Sequence, residues 1–271
     1  MKLALAQLRV EPAEVDGNRR RAVDAIERAA ADGADLVVLP ELFNVGYFAF
    51  EAYARTAEGL GGETLAQLAT VAADRDVAVL AGSLVEDLEA SAVAGFEVPA
   101  TDGLANTAVF LDADGEQRAV YRKRHLFGYG SEESSRLVAG ERCPTVDYRG
   151  FTVGVTTCYD LRFPELYRRL VDAGVTLTLV PSAWPYPRIE HWRLLPRARA
   201  VENQMYVAAA NGAGEFETAE LLGRSTVYDP WGTNLASASD DPALVTTTVD
   251  PERVAAVRKE FPALADRREG L

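Results

Sequence analysis

The sequence predicts an α/β protein with mixed sheets and helices packed outside them. Two strand–helix–strand passages carry that expectation, one at the start and one past the middle, because strands alternating with helices build parallel βαβ units. Short strands joined by turns between and after those passages add an antiparallel share. At 271 residues the chain can bury a full core, and no linker, repeat or low-complexity tract divides it.

Lys2 to Leu8 alternates like a first strand. Asn18 to Ala31 has helical spacing, with Ala22, Ile26 and Ala29 on one side and Gly33 ending the helix. Asp35 to Leu39 is a short apolar strand stopped by Pro40, which leaves Glu41 at its carboxyl end. Gly62 to Asp74 reads as a second helix and Val77 to Val85 as a third strand. Leu104 to Leu111 and Arg118 to Tyr121 form a hairpin turning at Asp114-Gly115, a favoured turn pair. After Lys123 in YRKRHLF a polar loop runs through Ser131 and Glu133 to Gly140. The β-branched run Phe151 to Thr157 reads as a buried strand, Pro164 opens a helix to Ala173, and Val175 to Val180 is the next strand. The loop PSAWPYPR leads to helix Ile189 to Asn203 and strand Met205 to Ala210. The acidic stretch GEFETAE near Gly214 reads as solvated surface, and three short strands follow at Ser225 to Tyr228, Asn234 to Ala238 and Leu244 to Val249. From Pro251 onward the chain is polar and helical in pattern.

Composition narrows the function. A hydrophobic share of 48% with 25% charged residues is ordinary for a soluble globular protein. No apolar run approaches the ~20 residues of a membrane span, and no signal-peptide core follows Met1-Lys2, so no membrane is expected and the cytoplasm is the expected location. A net charge of −13 argues against nucleic acid as a partner. With 3 lysines against 25 arginines the acidity suits a salt-rich cytoplasm as well as a GC-rich genome. Two cysteines allow no disulfide framework, and with two histidines they form no spaced metal-ligand set, so neither metal nor cofactor is expected.

The chemistry is expected around Cys158. A thiol between a strand and a helix start projects from the carboxyl edge of the sheet, where α/β proteins place their sites, and the helix N-terminus is expected to favour a thiolate. Glu41, Lys123 and the loop from Ser182 to Arg188 are placed at the same edge. Lys123 stands between two arginines in a chain that otherwise prefers arginine, which points to a need for a compact ammonium. The competing chemistry pairs Cys158 with His125 or His191, although His191 beside Trp192 reads as a packed, hydrogen-bonded histidine. Cys143, before Pro144 in a turn, reads as structural.

The stretches LPELFNVGY, YRKRHLF and CYDLRFPEL, in that order, resemble the three signature stretches of the nitrilase superfamily of carbon–nitrogen hydrolases. The similarity continues through HWRLLPRARAVENQMYVAAAN and STVYDPWG to about Asp250. It implies a four-layer α-β-β-α sandwich over 1–250, a C-terminal tail over 251–271 available to a partner subunit, and a homodimer or higher homo-oligomer. It implies a triad of Glu41 as base, Lys123 and Cys158 as nucleophile, with Lys123 and the backbone N–H of Tyr159 holding the oxyanion. Cys158 then carries a thioester, and ammonia leaves. A second glutamate is implied by the match of Glu133-Ser134, with Glu132 as the neighbouring alternative.

The loop AWPYPRIEHW is similar to that of omega-amidase-like members, which act on short amides bearing a carboxylate, such as 2-oxoglutaramate. Trp184 and Tyr186 would wall a small pocket, Arg188 would grip the carboxylate with two hydrogen bonds, and Tyr47 and Phe127 would be further walls. Gly223-Arg224-Ser225 departs from the Gly-His-Ser of many relatives. Nitrilase, N-carbamoyl amino-acid hydrolase and deaminated-glutathione amidase are the alternatives within the family. A non-catalytic binding protein of the same fold is the alternative outside it.

Overall fold

A computed structural model describes residues 1–129 and 131–268. The first half of the chain supplies β1 (Lys2–Gln7), β2 (Leu36–Val38), β3 (Ala78–Asp87), β4 (Leu104–Leu111) and β5 (Gln117–Arg122). The second supplies β6 (Thr145–Tyr148), β7 (Phe151–Val155), β8 (Leu177–Ser182), β9 (Tyr206–Asn211), the hairpin of β10 (Ala213–Phe216) and β11 (Ala219–Leu222), β12 (Thr226–Tyr228), β13 (Asn234–Ser237) and β14 (Ala243–Thr248). Two six-stranded sheets result, ordered β14-β1-β2-β3-β4-β5 and β13-β12-β9-β8-β7-β6. Each has a parallel centre, β1-β2-β3 or β7-β8-β9, flanked by antiparallel strands.

The helices are α1 (Val15–Ala31), α2 (Tyr53–Thr56), α3 (Glu63–Arg75), α4 (Leu88–Val93), α5 (Glu133–Arg136), α6 (Pro164–Asp172), α7 (Ile189–Asn203) and α8 (Pro251–Glu260). Strand alternation sorts the layers. Leu3 and Leu5 of β1 join Tyr206, Ala208 and Ala210 of β9 in a core between the two sheets. Ala4 and Ala6 point the other way, onto Ala22, Ile26 and Ala29 of α1 and Leu65 and Leu68 of α3. Val207 and Ala209 likewise meet Leu166 and Leu170 of α6 and Trp192 of α7. Both sheets are thus buried on two faces, and the four-layer α-β-β-α sandwich follows.

Several short elements escaped the sequence. The stretch GEFETAE is not mere solvated surface: its alternating positions pair Ala213–Phe216 with Ala219–Leu222 as a hairpin, burying Leu221 and Leu222 behind exposed acids. Outward-facing glutamates masked the period. The polar loop after Lys123 contains α5, a single turn with too few residues to show helical spacing. The C-terminal helix α8 turns Val254 and Val257 inward, and its Arg258 donates to the carbonyls of Gln204 and Val175 at 3.1 Å each. Residues 269–271 of the tail lie outside the described residues.

Candidate active site

β2 ends at Val38, and the next three residues bend across β3 at Gly82. A Cβ there would lie 1.8 Å from the Leu39 carbonyl oxygen, so only glycine admits the crossing. The bend delivers Glu41 into the interior, where it is 1% exposed. Its Oε1 accepts from Lys123 Nζ at 2.8 Å and Asn106 Nδ2 at 2.9 Å, and its Oε2 accepts from the Ala183 N–H at 2.9 Å. Burial raises the Glu41 carboxyl above its usual value, with Lys123 pulling it down and Glu133 pushing it further up.

Lys123 follows β5 directly and is as buried as Glu41. Besides Glu41 its ammonium meets both oxygens of Glu133, at 2.8 and 2.9 Å. Burial opposes that charge, yet Glu133 and Glu41 outweigh it and hold the ammonium well above its usual range. Gly140 closes the loop behind: its N–H donates to the Lys123 carbonyl at 3.0 Å, and a Cβ would lie 2.1 Å from the Arg122 carbonyl oxygen. Glu133 also accepts from Asn106 Nδ2 at 3.0 Å, Tyr47 Oη at 3.0 Å and the Phe127 N–H at 2.7 Å. Its neighbour Glu132 faces outward and pairs with Arg136.

β7 ends at Val155, and a single 3-10 turn over Cys158–Arg162 separates it from α6. Cys158 sits there at φ +47°, a left-handed conformation that costs a non-glycine residue about 1–2 kcal/mol and turns the thiol towards Glu41 and Lys123. The expectation of a thiolate fails. Burial and the Glu41 carboxylate push the thiol well above its usual value, more than Lys123 and the Ala183 N–H pull it down. α6 begins only at Pro164, so Cys158 does not lie in its first turn, where a helix dipole acts.

Above the thiol opens a cavity of about 720 Å³, lined by Lys123, Cys158, Tyr159, Tyr47, Phe127, Trp184, Tyr186 and Arg188 among others. Sequence reasoning therefore names residues that the fold brings together. It missed three. Asn106, fully buried on β4, donates to both glutamates, and its polarity inside the apolar run LANTAVFL was the available signal. Arg162 lines the same cavity, its guanidinium carbon 4.9 Å from the Trp184 ring centre and 5.8 Å from that of Tyr159. Phe216 brings the β10–β11 hairpin to the cavity rim. The histidines stand elsewhere: neither lines the cavity, and His191 is exposed rather than packed, bonded through Nδ1 to Arg162 at 3.1 Å. Among the described residues no group of three or more His, Cys, Asp or Glu side chains gathers to hold a metal ion.

A thiol kept protonated by its surroundings needs a base to take the proton and a donor to hold the charge its attack creates, and a carboxylate and an ammonium stand next to this one. That describes a hydrolase working through a covalent thiol adduct. Residues 2–259 match the family model described as Carbon-nitrogen hydrolase, and the chain belongs to that family. Two relatives and one solved structure mark its neighbourhood. The 2-oxoglutaramate amidase of Paenarthrobacter nicotinovorans is 38% identical over 88% of this chain and 80% of its own length. The Omega-amidase NIT2 of Homo sapiens is 34% identical over 100% of this chain and 96% of its own. The fold superposes on XC1258 of Xanthomonas campestris, a CN-hydrolase superfamily protein with an arsenic adduct in its active site, at a TM-score of 0.89 and 32% identity, over 100% of this chain and 98% of that one.

Proposed function

We propose that the protein is an omega-amidase that hydrolyses a short linear amide bearing a carboxylate at its other end, with 2-oxoglutaramate as the type substrate. The observation that carries the carboxylate is a pair of cations. Arg162 and Arg188 both line the cavity, and among the described residues neither meets a carboxylate; Arg188 instead rests its guanidinium carbon 5.8 Å from the Phe127 ring centre. Two guanidinium groups without a carboxylate partner, beside a nucleophile, favour an anionic substrate, and aromatic walls suit its short methylene chain.

In the mechanism, Glu41 removes the Cys158 proton as sulfur attacks the amide carbon. The oxyanion falls to the Tyr159 N–H and Lys123 Nζ, which keeps one N–H for it when a single proton is shared between the two oxygens of Glu133. Glu41 returns its proton to the departing nitrogen, ammonia leaves, and a thioester remains on Cys158. Water, deprotonated by Glu41, cleaves that thioester and restores the thiol. Glu133 holds Lys123 in place and offsets its charge. Tyr47, whose phenol burial holds far above its usual value, stays a donor to Glu133.

Arg188→Ala is expected to lower kcat/KM for 2-oxoglutaramate by about 10- to 100-fold, the loss of a hydrogen-bonded charge pair. A neutral amide of similar length should change less than about threefold. Comparing ammonia release from the two substrates tests this; equal losses, or a wild-type preference for the neutral amide, would remove the omega-amidase reading.

The same reading extends to assembly and location. Leu194 and Val201 on α7 are exposed, as are Trp231 and Phe261, whose ring centres are 5.9 Å apart, and such an apolar patch fits a second copy of the chain. Light scattering is expected to give a dimer or larger, and Leu194→Glu with Val201→Glu to reduce its mass; a monomeric wild type at micromolar concentration would contradict it. Two free cysteines suit a reducing cytoplasm. Among the described residues no helix is long and apolar enough to cross a membrane.

A further inference from the structure

Behind the nucleophile turn, away from the cavity, lies a fully buried carboxylate that the mechanism above does not use. Asp160 Oδ2 accepts from the Tyr121 hydroxyl at 2.5 Å and the Thr157 N–H at 2.8 Å. Its Oδ1 accepts from the His125 N–H at 3.1 Å and lies 2.7 Å from His125 Nδ1. The His125 ring is itself held flat against Phe163, with centres 3.7 Å apart and planes 11° from parallel. These donors come from two segments. Tyr121 and His125 stand two residues before and two after Lys123, and the Arg124 N–H adds a bond to the Tyr121 hydroxyl at 3.4 Å. Thr157 precedes Cys158, and Asp160 itself follows Tyr159.

We propose that Asp160 is a positioning residue for the hydrolysis: its carboxylate fixes the Lys123 segment against the Cys158–Tyr159 turn, and so sets the distance between the two oxyanion donors. Cys158 already occupies a left-handed conformation that needs outside support, and the ion pairs of Lys123 with Glu41 and Glu133 do not tie it to the Cys158 turn. The inference rests on the reading of Cys158 as nucleophile.

Each Asp160 oxygen accepts from one backbone N–H, which cannot reverse its direction, and from one side chain, which can. An asparagine therefore fails in either orientation. Its amide NH₂ faces the Thr157 N–H or the His125 N–H, and one of the two segments is pushed away. Asp160→Asn keeps size and shape, and what it breaks is the tie between segments.

The test separates two reactions of the same thiol. Alkylation by iodoacetamide forms a sulfur–carbon bond, expels iodide and sends the thiol proton to Glu41, without building an oxyanion. Amide hydrolysis needs the oxyanion donors. In the full-length protein, Asp160→Asn is expected to lower kcat at least about 30-fold with KM changed less than about threefold, while the peptide-resolved alkylation rate of Cys158 changes less than about threefold. Unchanged kcat, or parallel loss of both rates, would overturn the proposal. Because Asp160→Asn can fail to fold, the partly exposed partner supplies a second pair. His125→Leu should lose about tenfold in kcat, and His125→Asn, whose amide donates from the place of Nδ1, should recover most of it. Equal activity in the two variants would also overturn the proposal. If wild-type Cys158 alkylates no faster than Cys143, it is the nucleophile reading that fails, and the two failures are distinguishable.

Discussion

Cys158→Ala is expected to abolish ammonia release, by about 10⁴-fold or more, while Cys143→Ala keeps most of it. The size follows from the chemistry: without sulfur no thioester forms, and the remaining donors can only assist water. Cys143 is half-buried against the core between the sheets, so removing its sulfur trims packing at a cost of about 1 kcal/mol and leaves the site alone. Turnover of an omega-amide, with intact-mass detection of the acyl adduct on wild type and its absence on the variant, checks both halves. Survival of Cys158→Ala, or equal loss from the two changes, would end the assignment of the nucleophile.

Glu41→Gln is expected to lower kcat by about 10³-fold, within the 10²–10⁴ that a positioned general base supplies. It is a cleaner probe than Lys123→Ala. Removing the lysine would leave two buried carboxylates without a counter-charge, a loss of about 3–5 kcal/mol that confuses folding with catalysis. In Glu41→Gln, by contrast, Lys123 still has Glu133 at 2.8 Å, and the fold should persist. The pH profile gives the second half of the test. With the ionised carboxylate as the base, wild-type kcat/KM is expected to rise with pH through the Glu41 titration, whose midpoint burial places above the ~4.3 of a free glutamate. No further gain comes from spontaneous thiolate near neutral pH, because the thiol is pushed up as well. In the glutamine variant the acid limb should vanish together with the activity. Rapid acylation of Cys158 in that variant, or an unchanged limb, would contradict the base role.

How far the sequence alone reached is clearest at particular positions. Buried parallel strands are continuous apolar runs, so β2, β7 and β8 were legible, and Ile189–Asn203 matched to the residue because spacing and length agreed. Glu41, Lys123 and Cys158 could be singled out because each directly follows a strand run, although β2 and β5 belong to one sheet and β7 to the other, so the single sheet edge expected for them is in fact a meeting of two sheets. Asn106, Arg162 and Asp160 could not be singled out. Their telling hydrogen-bond partners stand 27 to 65 residues away, and no local period encodes such pairs. The thiolate expectation failed for a related reason: strand-to-helix position is local, whereas the burial that raises the thiol most, and the Glu41 carboxylate that adds to it, come from packing the two halves of the sandwich together.

The order of strands also governs how this enzyme comes off the ribosome. β1 takes its place between β2 and β14, with Lys2 opposite Thr248 and the amino terminus bonded to the Val249 carbonyl at 3.0 Å. β1 must therefore wait for β14, carrying an unpaired edge of alternating leucine and alanine until the strands between them have been made. Contacts closed over so many residues form slowly. Chains that stop before Ala243 lack the strand that covers this edge, and such an open edge is expected to favour chaperone binding and aggregation.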